Sequence, residues 1–320
     1  MEIVGEFYIK LKGVLAMINK ISKVFFMTLS KNNVLNNGAK KWGLRLGASQ
    51  VVAGVTIQSM IETVRKLNEK GLVCTVDHLG EFVMNKEEAT QSTNICMQTL
   101  EEIAKTKVKC NLSVKLTQLG LDIDKEFCFS NMIKIMEVAH RLDIFVRIDM
   151  EDYSRKEDTL DILAKLRKHY SNVGTVIQAY LHCAESDVSE LEGVSLRLVK
   201  GAYNESEKVA FKDKEEINKN YLKIIEQHLM KGSYTAIATH DHYIIEKVKE
   251  FTKVNKISNS QFEFQMLYGF RTDLQEKLVK EGYTTRVYVP FGKDWYGYFM
   301  RRLAERPQNI SFALKGFILK

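Results

Sequence analysis

Proline is almost absent from this chain, with only Pro290 and Pro307 in 320 residues. That excludes proline-rich spacers, and no low-complexity stretch divides the sequence into parts. Cysteine is sparse too: Cys74, Cys96, Cys110, Cys128 and Cys183 are odd in number and form no CxxC pair. Such a set suits a reducing compartment better than a disulfide framework. No run of roughly 18 apolar residues occurs, so no helix is expected to cross a bilayer. The nearest candidate, residues 13–29, is interrupted by Lys20 and Lys23 and lacks a signal-peptide cleavage pattern. It reads as a packing helix or as an amphipathic segment facing a membrane surface.

Glycines never occur two apart, so the GxGxxG dinucleotide fingerprint is missing, as is GxxxxGK[ST]. Charge of one sign is not concentrated either. The 47 basic and 40 acidic residues leave +7, which favours anionic ligands or surfaces, but the cations are scattered and give no nucleic-acid footprint. On the first strand-like run, Asp77 and His78 are adjacent and point apart, unlike the paired histidines of a barrel metallohydrolase. No metal site is expected.

What is present is a rhythm. Short apolar runs recur near 71–81, 109–120, 143–152, 173–182, 194–203, 234–241, 261–269 and 284–292. Helical patterns such as NICMQTLEEIAKT, FSNMIKIMEVAHRL and YIIEKVKEFT lie between them. Alternating strand and helix units imply a parallel sheet with helices outside, and eight of them imply closure into a (β/α)8 TIM barrel. Residues 1–70 are expected to form an N-terminal helical segment packed on a catalytic barrel of 71–320, one structural domain overall. Within that segment LGASQVVAGVTIQSMIETVRKLNEKG reads as helix ending near Gly71.

Barrel chemistry sits at the C-terminal strand ends. There the sequence offers Asp77 and His78, Lys115, Asp149, Gln178 and Tyr180, then Arg197 and Lys200. Thr239, His240 and Asp241 follow, with Gln265 and Leu267 and finally Tyr288. Buried charges need partners, and Lys115 and Asp149, from neighbouring strands, are candidates for a pair. Arg197 and Lys200 are three apart and face opposite sides of a strand. After the eighth strand comes RVYVPFGKDWYGYFMRRLAERP: a glycine turn at Gly292, Asp294 as helix N-cap, Arg301 and Arg302 near the helix end, and Glu305 one turn on. Alone, RRxxER is as compatible with a solvated face as with an anion clamp.

The motifs SVKLTQLGL, RIDMED, RLVKGAY, ATHD, FQMLYG, RVYVPFG and WYGYFMRRLAERP, in this order from about residue 40 onward, resemble the proline dehydrogenase family. The resemblance implies a distorted (β/α)8 barrel with N-terminal helices and the monofunctional bacterial form, the chain being too short for a fused aldehyde dehydrogenase domain. It implies non-covalent FAD and oxidation of L-proline to 1-pyrroline-5-carboxylate, the first step of proline catabolism, by hydride transfer to flavin N5. Electrons would pass to a membrane quinone, from a cytoplasmic enzyme in peripheral contact with the inner face of the cell membrane. Carried over residue by residue, Asp149 and Arg197 would be catalytic, with Arg197 beside the reactive flavin nitrogen. Lys115, Tyr203, Leu267, Tyr288, Arg301, Arg302 and Glu305 would bind substrate, the two arginines clamping its carboxylate. Met150, Gln178, Arg197, Lys200, Gly201, Ala202, Thr239 and His240 would hold FAD. The chain departs from the family pattern at Asp241, where Asn is expected, and at Phe270; the extra negative charge at Asp241 is expected to bear on cofactor affinity. Two other readings stand beside this one: a Schiff-base lyase using Lys115 or Lys200, and a non-catalytic proline sensor.

Overall fold

The computed structural model describes residues 48–80 and 83–305, with side chains as far as Arg302. Eight parallel strands close on themselves in chain order. They are β1 (Val73–His78), β2 (Cys110–Val114), β3 (Val146–Ile148), β4 (Val173–Gln178), β5 (Leu196–Val199), β6 (Thr235–Ala238), β7 (Phe262–Leu267) and β8 (Thr285–Phe291). Closure is made by β1 against β8, in register from Val73↔Arg286 to His78↔Phe291. The expected barrel is therefore the observed one.

Helices follow the strands on the outside. They are α1 (Ile57–Glu69), α2 (Lys86–Thr106), α3 (Lys125–Arg141), α4 (Lys156–Arg167), α5 (Ala184–Glu190), α6 (Lys214–Met230), α7 (His242–Val254), α8 (Thr272–Lys280) and α9 (Trp295–Glu305). Side-chain caps fix several starts, Asn85, Asp124, Asp213 and Asp241 each accepting from an N–H of the first turn. Such caps contribute about 1 kcal/mol each. The hydrophobic core lies between strands and helices, where Met60, Leu112, Ile148, Leu196, Ile224 and Phe264 are fully buried. Four of the cysteines are buried free thiols and the fifth, Cys183, is half-buried, consistent with small core fillers.

Two local readings of the sequence differ from the structure. The stretch 48–71 is not one helix: Gly54 adopts φ +127, and α1 begins only after Thr56, which forms a reciprocal capping box with Ser59. A Cβ at Gly54 would lie 2.0 Å from the Ser59 hydroxyl, so the break belongs to the way that cap packs. The seven-residue α5 went unread because its sequence, AESDVSE, has almost no apolar stripe. Residues 1–47, including the candidate segment 13–29, and Pro307 lie outside the described residues. Among the described residues no helix is long and apolar enough to cross a membrane.

One buried titratable group gives the fold a pH dependence. His228 on α6 is inaccessible, its ring 2.7 Å from the Thr235 hydroxyl and 3.1 Å from the Val194 carbonyl. Burial pushes its pKa down from 6.5 to about 4, with the positive charge of Arg147 acting in the same direction and the Val194 bond opposing. The unfolded chain binds this proton more readily, so the stabilisation is complete above pH 6.5 and is lost as pH falls toward about 4. The loss is expected to reach about 3 kcal/mol. Urea titrations across that window test this, since His228→Gln should flatten the slope relative to the parent chain. An unchanged slope would refute the assignment.

Candidate active site

The strand ends converge on Asp149, just beyond β3. Its Oδ1 accepts from Ser113 Oγ at 3.1 Å and Arg197 Nη1 at 2.7 Å. Its Oδ2 accepts from Lys115 Nζ at 3.1 Å and the Tyr288 hydroxyl at 2.7 Å. These donors come from the β2, β5 and β8 segments, so the bonds run through the barrel interior. Burial alone would raise the pKa of Asp149, but Lys115 and Arg197 outweigh it and hold the carboxyl below its ordinary range.

Lys115 follows β2 and meets Asp77 Oδ2 at 2.8 Å, closer than Asp149, and donates to the Tyr288 oxygen at 3.1 Å. Burial works to strip its proton, yet Asp77, Tyr288 and Asp149 together keep its pKa well above 10.5. It is a standing ammonium, which disfavours the Schiff-base reading at Lys115, since that needs a free amine. Tyr288 is pushed the same way by burial and by the two carboxylates, so its hydroxyl stays protonated and able to donate.

Arg197 is gripped on three edges: Nη1 by Asp149, Nη2 by Ser113 Oγ at 3.1 Å, and Nε by Gln265 Oε1 at 2.6 Å. The Tyr288 ring lies 5.3 Å from its guanidinium carbon. The bonds described use three of the five N–H groups of the guanidinium and leave two.

On the β4–β6 side, Met150 and Thr239 are buried, and Gln178 donates to the Glu151 carbonyl at 3.2 Å. Gln178 Oε1 is buried and makes no hydrogen bond among the described residues. Lys200 faces away from Arg197, as the spacing predicts, and meets Asn218 at 2.6 Å and Asp241 at 2.7 Å. The unexpected Asp241 is therefore the counter-charge of Lys200 as well as the cap of α7. The His240 Nε2 accepts from the Leu267 N–H at 3.0 Å, placing the proton of a neutral ring on Nδ1. Gly201 adopts φ +109, and a Cβ there would lie 2.2 Å from the Tyr180 ring. Ala202 and Tyr203 follow at the rim, Tyr203 42% exposed, while Leu267 is half-buried.

The turn at Gly292 (φ +132) sends the chain from β8 into α9, and a Cβ there would meet the Leu79 carbonyl at 2.8 Å. Trp295, Tyr298 and Phe299 of α9 are buried in one cluster with Leu79, Ala48, Val51 and Val52. This lays α9 beside the β1 end of the strand-end face. Arg301 and Arg302 are half-buried, and the Arg302 guanidinium carbon lies 5.1 Å from the Tyr298 ring centre. The Glu305 side chain lies outside the described residues.

The structure thus brings Lys115, Asp149, Arg197 and Tyr288 into one network. It adds Asp77, Ser113, Gln265 and Glu263, to which no role had been given. A signal for the last two existed: Glu263 and Gln265 are two apart, so they share the inward face of β7, where a carboxylate demands a partner. A surface groove between α1, α2 and α3, lined by Ile57, Met97, Glu101 and Val138, gathers no comparable set.

Comparison with known proteins gives a concordant result. A family model described as proline dehydrogenase matches residues 60–315. The chain is 52% identical over 302 residues to proline dehydrogenase 2 of Bacillus subtilis strain 168, covering 94% of this chain and 100% of that one. It is 37% identical over 311 residues to proline dehydrogenase of Deinococcus radiodurans, covering 94% and 99%. Among solved structures, proline utilization A (PutA) of Bdellovibrio bacteriovorus inactivated by N-propargylglycine superposes with a TM-score of 0.79 at 26% identity. That match covers 94% of this chain and 38% of the longer protein.

Proposed function

The chain belongs to the proline dehydrogenase family and is an oxidoreductase acting on proline, and from that premise we propose that it converts L-proline to 1-pyrroline-5-carboxylate using non-covalent FAD. The observation that carries the reading is the Asp149 hub, whose carboxylate binds two cations and a phenol beneath the strand ends. The residues around it suit a flavin. Gln178 offers a buried acceptor that has no partner among the described residues, Arg197 retains two donors beyond its three bonds, and Lys200, held by Asn218 and Asp241, would contact the cofactor at the rim. Met150, Gly201, Ala202, Thr239 and His240 complete that side.

When bound, FAD would supply the two-electron acceptor, taking hydride at N5 from the proline ring carbon that is bonded to nitrogen and carries no carboxylate. The chain's own residues orient, desolvate and set charge. Arg301 and Arg302 would grip the proline carboxylate, fixing which ring carbon faces inward. Tyr288, Tyr203 and Leu267 would wall the ring. Together the cations Lys115, Arg301 and Arg302 would disfavour a protonated proline nitrogen nearby and so favour the neutral amine that oxidation requires. Arg197 would oppose the negative charge that develops on the acceptor. Quinone reduction at a membrane surface is part of the proposal, and the +7 net charge supports contact with anionic lipid.

An absorbance spectrum of the purified protein tests this. A flavin band is expected, bleached by anaerobic L-proline. No band after FAD reconstitution, or one that proline leaves intact, would overturn the reading. Proline binding with an unbleached band would favour the sensor.

A further inference from the structure

We propose that Gln265, its amide orientation fixed by Glu263, is the positioning residue that locks the Arg197 guanidinium in its working direction. The inference rests on the flavin-dependent reading above and assigns a task to two buried residues of β7.

The argument follows one line of bonds. Glu263 on β7 is 2% exposed and accepts from Arg286 Nε at 2.7 Å and from the Tyr234 hydroxyl at 2.8 Å. Burial would favour its neutral form, but Arg286 outweighs that and keeps it ionised. An ionised carboxylate only accepts. Gln265, two residues along the same strand face, must therefore turn its NH2 group toward Glu263, and Nε2 lies 2.5 Å from Glu263 Oε1. That choice leaves Oε1 pointing the other way, where it accepts from Arg197 Nε at 2.6 Å. Arg197 has donors only, so each of its edges needs an acceptor. Asp149 and Ser113 hold the two terminal nitrogens, and Gln265 holds the third edge.

A planar fork bonded on three edges cannot rotate about its own stem. With the Nε edge released it could swing on the Asp149 and Ser113 bonds and move its two remaining N–H groups off the cofactor. The amide is the weak point of this arrangement because its two ends are nearly equal in shape. With a neutral neighbour below, the reversed amide would aim NH2 at Arg197, donor against donor. Ionised Glu263 removes that alternative.

The test uses the flavin-loaded protein. Gln265→Met keeps side-chain length, removes both amide bonds and leaves the Glu263–Arg286 pair in place. Gln265→Asn is the second variant, its amide too short to reach both partners, should the first fail to fold. Either is expected to lower kcat for proline by about tenfold or more while KM stays within about twofold, because the carboxylate clamp lies on α9. The flavin midpoint potential, measured spectroelectrochemically, is expected to fall by about 30 mV, the equivalent of a tenfold change for a two-electron couple. A potential at the parent value, or a KM that rises in step with the fall in kcat, overturns the inference. Parent protein that takes up no flavin is a different result: it would sink the cofactor reading, and this inference with it.

Discussion

Asp149→Asn is expected to cut kcat for proline by about 10²–10³-fold, the range seen when a buried electrostatic contact to developing charge is lost. The carboxylate has four donors around it, two of them cationic. An amide of the same shape keeps one acceptor oxygen and turns an NH2 toward a second set of donors. Either way it is set, one of Lys115–Tyr288 or Arg197–Ser113 faces a donor. Lys115 retains Asp77 at 2.8 Å, so its charge stays compensated. Arg197 has no other carboxylate among its described partners, and removing one partner of a buried pair costs about 3–5 kcal/mol. The substitution should therefore damage stability as well as rate. Flavin content and the thermal midpoint, measured alongside kcat, separate the two effects. A folded, flavin-loaded Asp149→Asn enzyme within tenfold of the parent kcat would show that the hub is structural only.

How far this site could be read from the sequence depends on the kind of contact. The strand ends were legible because barrel geometry needs only the apolar rhythm and the parallel order. Lys115 and Asp149, after adjacent strands, were candidates for a pair, and the pair is present at 3.1 Å. The opposed facing of Arg197 and Lys200 came from strand periodicity alone, and their different partners agree with it. Contacts that cross the barrel were not legible. Nothing in the spacing says that Arg197 on β5 reaches Ser113 on β2 and Gln265 on β7, because those distances depend on barrel radius and rotamer. Asp77 was considered beside His78 for metal, and its bond to Lys115 was missed for the same reason: neighbouring strands were visible, but side-chain reach was not. The break at Gly54 escaped because small and apolar residues on both sides keep a helical period through it. At Asp241 the sequence flagged a departure, and only the structure shows that its charge is matched by Lys200.

Arg301→Lys and Arg302→Lys are each expected to raise KM for proline by about 10–100-fold with flavin content near that of the parent. The estimate follows from the chemistry of the fork. A guanidinium can present two parallel N–H groups to one carboxylate, while an ammonium is a point donor on a flexible stem. Losing a charge-assisted bond of about 1.5–3 kcal/mol corresponds to roughly one to two powers of ten in affinity. The helix should tolerate both changes, because its buried face is carried by Trp295, Tyr298 and Phe299 against Leu79, and not by the arginines. Arg302 is also anchored on the Tyr298 ring at 5.1 Å, a contact that a lysine matches poorly. If both arginines hold one carboxylate, the changes must couple. The double variant should fall short of the product of the single effects, since a substrate already loosened by the first change has less to lose from the second. Steady-state kinetics on the four members of this cycle decide the matter. Strictly multiplicative KM values would place the two arginines on separate tasks, and an unchanged KM in either single variant would remove that arginine from the clamp.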